Sequence, residues 1–135
     1  MNGAGVHSLP VQLRFGDTDT LGHINNAVYA SYAELGRLAF FASLGIEAPG
    51  LILARLAIDF RRQVVLGMDC VITTRVVRVG TSSIELAQTL TANGVVAADF
   101  QAVIVWFDYA TQQPVRVPDD ARAVLTPQPG SSTPR

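Results

Sequence analysis

The chain of 135 residues is the length of one ordinary domain, and 49% of it is apolar, which is ample material for a core. Ten basic against eleven acidic residues leave no broad positive field, so nucleic acid is not expected as a partner. One cysteine, Cys70, and two histidines exclude an internal disulfide and a tetrahedral zinc set, so no metal is expected, and no apolar run is long enough to span a bilayer.

The first ten residues, MNGAGVHSLP, lack the basic region and apolar stretch of a secretory leader, so a soluble, cytoplasmic protein without membrane contact is expected. Residues 9 to 15 (LPVQLRF) alternate Val11, Leu13 and Phe15 with Gln12 and Arg14, the period of a half-buried strand. A polar loop follows, and then residues 26 to 44 read as a helix. Asn25 or Asn26 can cap its start, no proline interrupts it, and Gly45 stands where a left-handed C-terminal cap belongs. Ser31, Glu34 and Arg37 form one narrow polar stripe on this helix. Apolar residues cover the rest, which predicts burial on several sides. Gly36 within it suggests close approach of another backbone or a merely tolerated glycine.

Four further strands are expected over residues 51 to 60, 69 to 79, 83 to 92 and 95 to 107. Asn93-Gly94 lies between the last two as a two-residue hairpin turn, so the pairing should be antiparallel and sequential. Residues 119 to 125 suggest a short helix, and residues 1 to 127 a single domain. Residues 128 to 135 belong to a Pro-rich polar tail with too few apolar groups to order itself. One buried helix followed by long antiparallel strands makes an α+β domain whose sheet of five to six strands curls around the helix. Such a sheet leaves edges and a face that a partner subunit would cover.

The chemistry concentrates in FGDTDTLGHINNAVYASY, residues 15 to 32. Asp17, Asp19, Asn25 and Asn26 are common turn formers and caps. The helix after them also turns free N–H groups and about half a positive charge toward the loop, where a carbonyl oxygen could be polarised. Asp17 or Asp19 could then act on the carbonyl carbon.

The pattern Phe15, Asp17, Asp19, Gly22, His23, Asn25, Asn26, Tyr29, Tyr32, Glu34 and Arg37 resembles the F-x-D-x-D-x-x-G-H-x-N-N-x-x-Y segment of the hotdog-fold thioesterases, in particular the 4-hydroxybenzoyl-CoA thioesterase-like acyl-CoA thioesterases. The resemblance runs on through IDFRRQVVLGMDCVITTRVVRVGTSSIELAQTL to VIVWFDYATQQPVRVPDDARAVL. It implies a hotdog fold and an acyl-CoA thioesterase with no redox cofactor, built as a homodimer or homotetramer. Asp19 matches the catalytic carboxylate, as nucleophile or as general base, and Asn26 the position whose backbone N–H holds the thioester oxygen. Asp17 would be structural and His23 a loop-fixing residue at the substrate. Tyr29, Tyr32 and Phe40 either line the acyl pocket or belong to the core. Arg61, Arg62, Thr81, Ser82 and Ser83 are candidates for coenzyme A, which in this family runs along a subunit interface. The chain departs from the family in lacking a proline near position 62. A non-catalytic acyl-CoA-binding hotdog domain and a hotdog hydratase or dehydratase stand as alternatives.

Overall fold

A computed structural model describes residues 5–47 and 50–129. In chain order it contains β1 (His7–Val11), α1 (Asn26–Ser43), β2 (Leu51–Phe60), β3 (Cys70–Val79), β4 (Ser83–Ala92), β5 (Val95–Asp108), β6 (Gln113–Pro114) and α2 (Asp119–Val124). The strands form one antiparallel sheet in the order β1-β3-β4-β5-β2, with the short β6 on β5. The sheet curls against α1, the α+β hotdog arrangement.

Strands β3, β4 and β5 pair in sequence, and Asn93 and Gly94, at φ of 51° and 80°, make the expected hairpin turn. The expectation of sequential pairing fails at β2, which crosses to the far edge beside β5. Both edges of β3 are taken by β1 and β4, so β2 does not pair with its successor and joins the outer edge of β5. The first strand is also corrected. It covers His7–Val11, because β3 begins at Cys70, opposite Val11, and nothing remains for residues 12 to 15 to pair with. The chain instead makes a 3-10 turn at Phe15–Asp17, which leaves Phe15 83% exposed.

Helix α1 starts and stops by local chemistry. Asn25, at φ -60° and ψ 137°, is the cap, and its side chain accepts from the Ala27 N–H. At the other end Gly45 N–H donates to Ala42 O and Ile46 N–H to Phe41 O, a Schellman closure that needs the left-handed φ of 75° at Gly45. The expected polar stripe is not a stripe in space. Ser31 and Glu34 are exposed, but Arg37 is buried, and within this chain Leu35 and Leu38 lie open at 50% and 45% exposure. The helix packs mainly over β3, β1 and β4, with Leu35 and Leu38 on its open face.

The core has two halves. One gathers Ile24, Tyr29, Tyr32, Val64, Ile72, Leu90 and Phe100 beneath the start of α1. The other gathers Phe40, Phe41, Val76, Ile84, Leu86, Val117 and Leu125 beneath its end. Between them runs a buried polar row. Gln88 sits in the inward register of β4, opposite Thr74 of β3, and its amide donates to Ala33 O at 2.9 Å and to Thr74 Oγ1 at 3.0 Å. Its Oε1 accepts from Arg37 at 3.2 Å, so the groups inside this row are paired, as burial requires.

At the tail, Gln128 N–H donates to Val76 O and Arg75 donates to Gln128 O. Ordered chain therefore reaches past the expected boundary at 127. The ladder between β1 and β3 ends at the pair His7–Thr74, which leaves this stretch of β3 open. Residues 130 to 135, the rest of the expected tail, lie outside the described residues.

Gly36 lets the helix approach this row. A Cβ there would stand 2.9 Å from both Cγ atoms of Ile72 and 3.0 Å from Gln88 Nε2, so the close neighbours are side chains rather than another backbone. Ile72 is fully buried and β-branched, so it has no free rotamer into which to retreat. Gly36→Val should therefore cost about 2 kcal/mol or more by overpacking, read as a lower urea midpoint at unchanged slope. An unchanged midpoint would mean that α1 is not held this close to the sheet.

Candidate active site

The loop from Asp17 to Asn25 is fixed by one buried carboxylate. Asp17 is 3% exposed, and its Oδ2 accepts from the Tyr32 hydroxyl at 2.8 Å and from Arg14 N–H at 3.2 Å, while Oδ1 pairs with the Arg14 guanidinium at 3.0 Å. Its own carbonyl accepts from Asn25 N–H at 2.8 Å, so the same residue holds the cap of α1. The Arg14 hydrogen bond, helped by that of Tyr32 and opposed by burial, keeps the Asp17 carboxyl below the usual aspartate range. Burial first, and then the Asp17 carboxylate, push the Tyr32 hydroxyl far up, so it stays a neutral donor.

Asp19 follows as an exposed residue folded back on the loop. Its Oδ1 accepts from Leu21 N–H at 2.9 Å and from His23 N–H at 3.1 Å, and its N–H donates to His23 O at 2.7 Å. These bonds hold the carboxylate and leave Oδ2 without a partner among the described residues. Asn26 is the first residue of α1. Asn25 takes the next two N–H groups, that of Ala27 with its side chain and that of Val28 with its carbonyl. No acceptor among the described residues takes the N–H of Asn26, one of the donors that a helix leaves open at its start.

Asp19 and Asn26 line one cleft of about 390 Å³ with Leu21, His23, Ile24, Tyr29, Phe60, Arg61, Arg62 and Gln63. That volume is in the range of small-molecule sites. His23 fixes the loop through its backbone, by the bonds to Asp19 and a bridge to Val65, and its ring is left at the cleft. Tyr29 packs edge-on against Phe60 with ring centroids 5.0 Å apart, and its hydroxyl makes a long bond of 3.5 Å to Arg62 O. Arg61 is turned away to Asp99 of β5, which also accepts from Thr89, whereas Arg62 is exposed at the rim. Tyr32 and Phe40 belong to the core and not to this cleft.

Thr81, Ser82 and Ser83 are not brought to the cleft of this chain. They lie at the β3–β4 turn, beside Trp106, Val117 and Arg122 at the other end of the sheet. Phe60 and Gln63 were missed in the sequence, although Phe60 closes an apolar run directly before Arg61. The buried thiol of Cys70, raised first by burial and then by Asp69, is a poor nucleophile and lies in the core.

Residues 13–125 match the thioesterase-like superfamily. The chain belongs to that superfamily. This thioesterase is 34% identical to a thioesterase from Thermus thermophilus solved with coenzyme A and Zn, at a TM-score of 0.83 over 87% of this chain and 90% of that one. Against a predicted thioesterase from Bacillus stearothermophilus the TM-score is 0.86 at 29% identity, covering 93% of this chain and 100% of that one. In sequence it is also similar to a chloroplastic acyl-acyl carrier protein thioesterase of Arabidopsis thaliana, 29% identical over 88% of this chain and 68% of that protein. The protein is a thioester hydrolase.

The Asp17 anchor has a pH signature. Its folded-state value lies below the unfolded one, so its contribution to stability is complete above about pH 4 and is lost as pH falls through the folded value. Asp17→Asn should lower the urea midpoint at pH 7, and the gap to the parent should narrow in melts below about pH 4. A gap that is constant with pH would show that the Asp17 charge does not stabilise the fold.

Proposed function

We propose that this thioesterase hydrolyses acyl-CoA, with Asp19 as the catalytic carboxylate and the Asn26 N–H as the oxyanion donor. The observation that carries the reading is that an anchored carboxylate with one free oxygen and an unpaired helix-terminal N–H share one cleft. The carbonyl oxygen of the thioester would sit at the helix N-terminus, where the dipole and the Asn26 N–H stabilise the charge that develops on it. Asp19 either attacks the carbonyl carbon, giving an anhydride that water then opens, or takes a proton from the attacking water. In both routes the carbon–sulfur bond breaks, the thiolate leaves and is protonated, and the acid is released. A thiolate is a good leaving group, so no strong acid is needed beside it.

Coenzyme A as the carrier is supported by the Thermus thermophilus structure solved with it, while the Arabidopsis relative acts on acyl-acyl carrier protein. His23, Tyr29 and Arg62 are proposed to contact the acyl-thioester region. Thr81, Ser82 and Ser83 would reach the coenzyme only from a second subunit, because they lie at the other end of their own sheet. A homodimer or homotetramer fits the open edge of β2 and the exposed Leu35, Leu38 and Leu53 beside it.

Asp19→Asn should abolish most hydrolysis in a folded protein, because it keeps the shape and removes the charge. Asn26 separates backbone from side-chain chemistry. Asn25 already has the extended ψ of 137° that a following proline demands, and proline suits a first helical position. Asn26→Pro should therefore fold and lose roughly 10² or more in turnover, the scale of one oxyanion donor, while Asn26→Ala keeps much of it. Thiol release from an acyl-CoA checks all three. Equal losses in the two Asn26 variants would point to the side chain instead.

A further inference from the structure

The chain between β2 and β3 is tied to the sheet by a side-chain pair that the chemistry above does not use. Directly after Phe60, the N–H groups of Arg61 and Arg62 both donate to Ala97 O, at 2.8 Å and 3.1 Å. Ala97 is the extra residue of a bulge in β5, since Leu90 pairs with Ala98 and Thr91 with Val96. Arg61 Nε donates to Asp99 Oδ2, and Thr89 of β4 donates to Asp99 Oδ1 at 3.2 Å. The Arg61 and Asp99 side chains are only 23% and 26% exposed, so salt and water screen them less than an open pair. Asp59 stands opposite Asp99 in the β2–β5 ladder, and the Arg61 cation offsets the repulsion between these like charges.

Beyond Arg62 the same segment carries the loop of the candidate site. The carbonyl of the fully buried Val64 accepts from Ile24 N–H at 2.8 Å, and Val65 bridges to His23. His23 N–H in turn donates to Asp19 Oδ1 at 3.1 Å, and His23 O accepts from Asp19 N–H at 2.7 Å. On the helix side the Tyr29 hydroxyl reaches Arg62 O at 3.5 Å. A series of bonds thus runs from Asp99 on β5, through Arg61 and the segment 61–65, to the carboxylate of Asp19. Asp19 is exposed, so its place is set by what its loop is bonded to and not by packing. Asp17 anchors that loop at its start, and the segment 61–65 anchors it at its end.

We propose that Arg61, held by Asp99, is a positioning residue for Asp19 and not a ligand of the coenzyme phosphates. The assignment rests on the reading of Asp19 as the catalytic carboxylate. A guanidinium paired with Asp99, with Asp59 across the ladder, has little net charge to offer an anion, whereas Arg62 is exposed at the rim. Slack of about 1 Å in a reacting group costs on the order of 10² in rate, so loss of the pair should be read in kcat.

The test uses butyryl-CoA, octanoyl-CoA and benzoyl-CoA, and the pantetheine thioesters of the same acids, which lack the nucleotide and its phosphates. On the acyl group that the parent hydrolyses best, Asp99→Asn should lower kcat at least about fivefold on both carriers and leave KM within roughly twofold. Arg61→Ala should do the same, and Arg61→Lys, which keeps the cation, should restore part of the loss. Where Arg61→Ala does not fold, Asp99→Asn and Arg61→Lys carry the test. In an Asp19→Asn protein, adding Asp99→Asn should lower the residual rate no further, a non-additivity that a purely structural pair does not produce. A rise in KM for the CoA thioester alone makes Arg61 a phosphate ligand and overturns the proposal. A lower urea midpoint in Asp99→Asn at unchanged kcat, or losses that add in the double variant, also overturns it. Full turnover in Asp19→Asn instead overturns the reading of Asp19, and a parent that hydrolyses no acyl-CoA overturns the acyl-CoA reading itself.

Discussion

The candidate site depends on one buried carboxylate. Asp17 can lie in the interior only because Tyr32 and Arg14 satisfy it, the buried Tyr32 hydroxyl donating to Oδ2 and the exposed Arg14 guanidinium to Oδ1. Tyr32 stands in the second turn of α1, so its bond to Asp17 ties the helix to the loop that precedes it. The Asp17 carbonyl then receives the N–H of the cap residue Asn25. Two constraints on one residue thereby set where α1 begins and which of its N–H groups remains free. Asp19 is placed two residues on, and its carboxylate is spent half on the loop and half on the cleft.

The second constraint is the offset of the helix on the sheet. Gly36 lets α1 sink onto Ile72 and Gln88, and the polar row of Thr74, Gln88 and Arg37 replaces what would otherwise be continuous hydrocarbon between the two halves of the core. A row of this kind fixes the register of helix on sheet, because sliding by one turn would strand Gln88 without partners. With α1 held over β1, β3 and β4, its first turn meets β2 through the edge-on contact of Tyr29 with Phe60. The same geometry that secures the core thus sets one wall of the cleft, where Tyr29 and Phe60 stand beside Asp19 and Asn26.

Local signals were legible in the sequence and distant pairings were not. The Asn25 cap, the Gly45 closure, the Asn93-Gly94 turn and the bounds of β4 follow from residues near one another in the chain. The end of β1 and the place of β2 depend on which strand edges are free, which no spacing records. Arg37 was misplaced for a related reason. A period of three puts it in line with Ser31 and Glu34, but only the position of the sheet decides which side of that line is interior. Gln88 in an apolar register was a visible clue to the buried acceptor that holds it. In the site, Asp19 and Asn26 came from the resemblance to hotdog thioesterases, since aspartates and asparagines before a helix are as often turn formers. Asp17 was recognised as structural, but its partner Tyr32, fifteen positions away, belongs to the helix and could be found only in three dimensions.

A crystal structure with a non-hydrolysable ketone analogue of an acyl-CoA tests the shared role of Asp19 and Asn26 most directly. The ketone oxygen is expected about 3 Å from the backbone nitrogen of Asn26, with the carbonyl carbon facing the free Oδ2 of Asp19. An analogue whose ketone oxygen lies on other donors, with Asn26 N–H turned to water, would contradict it.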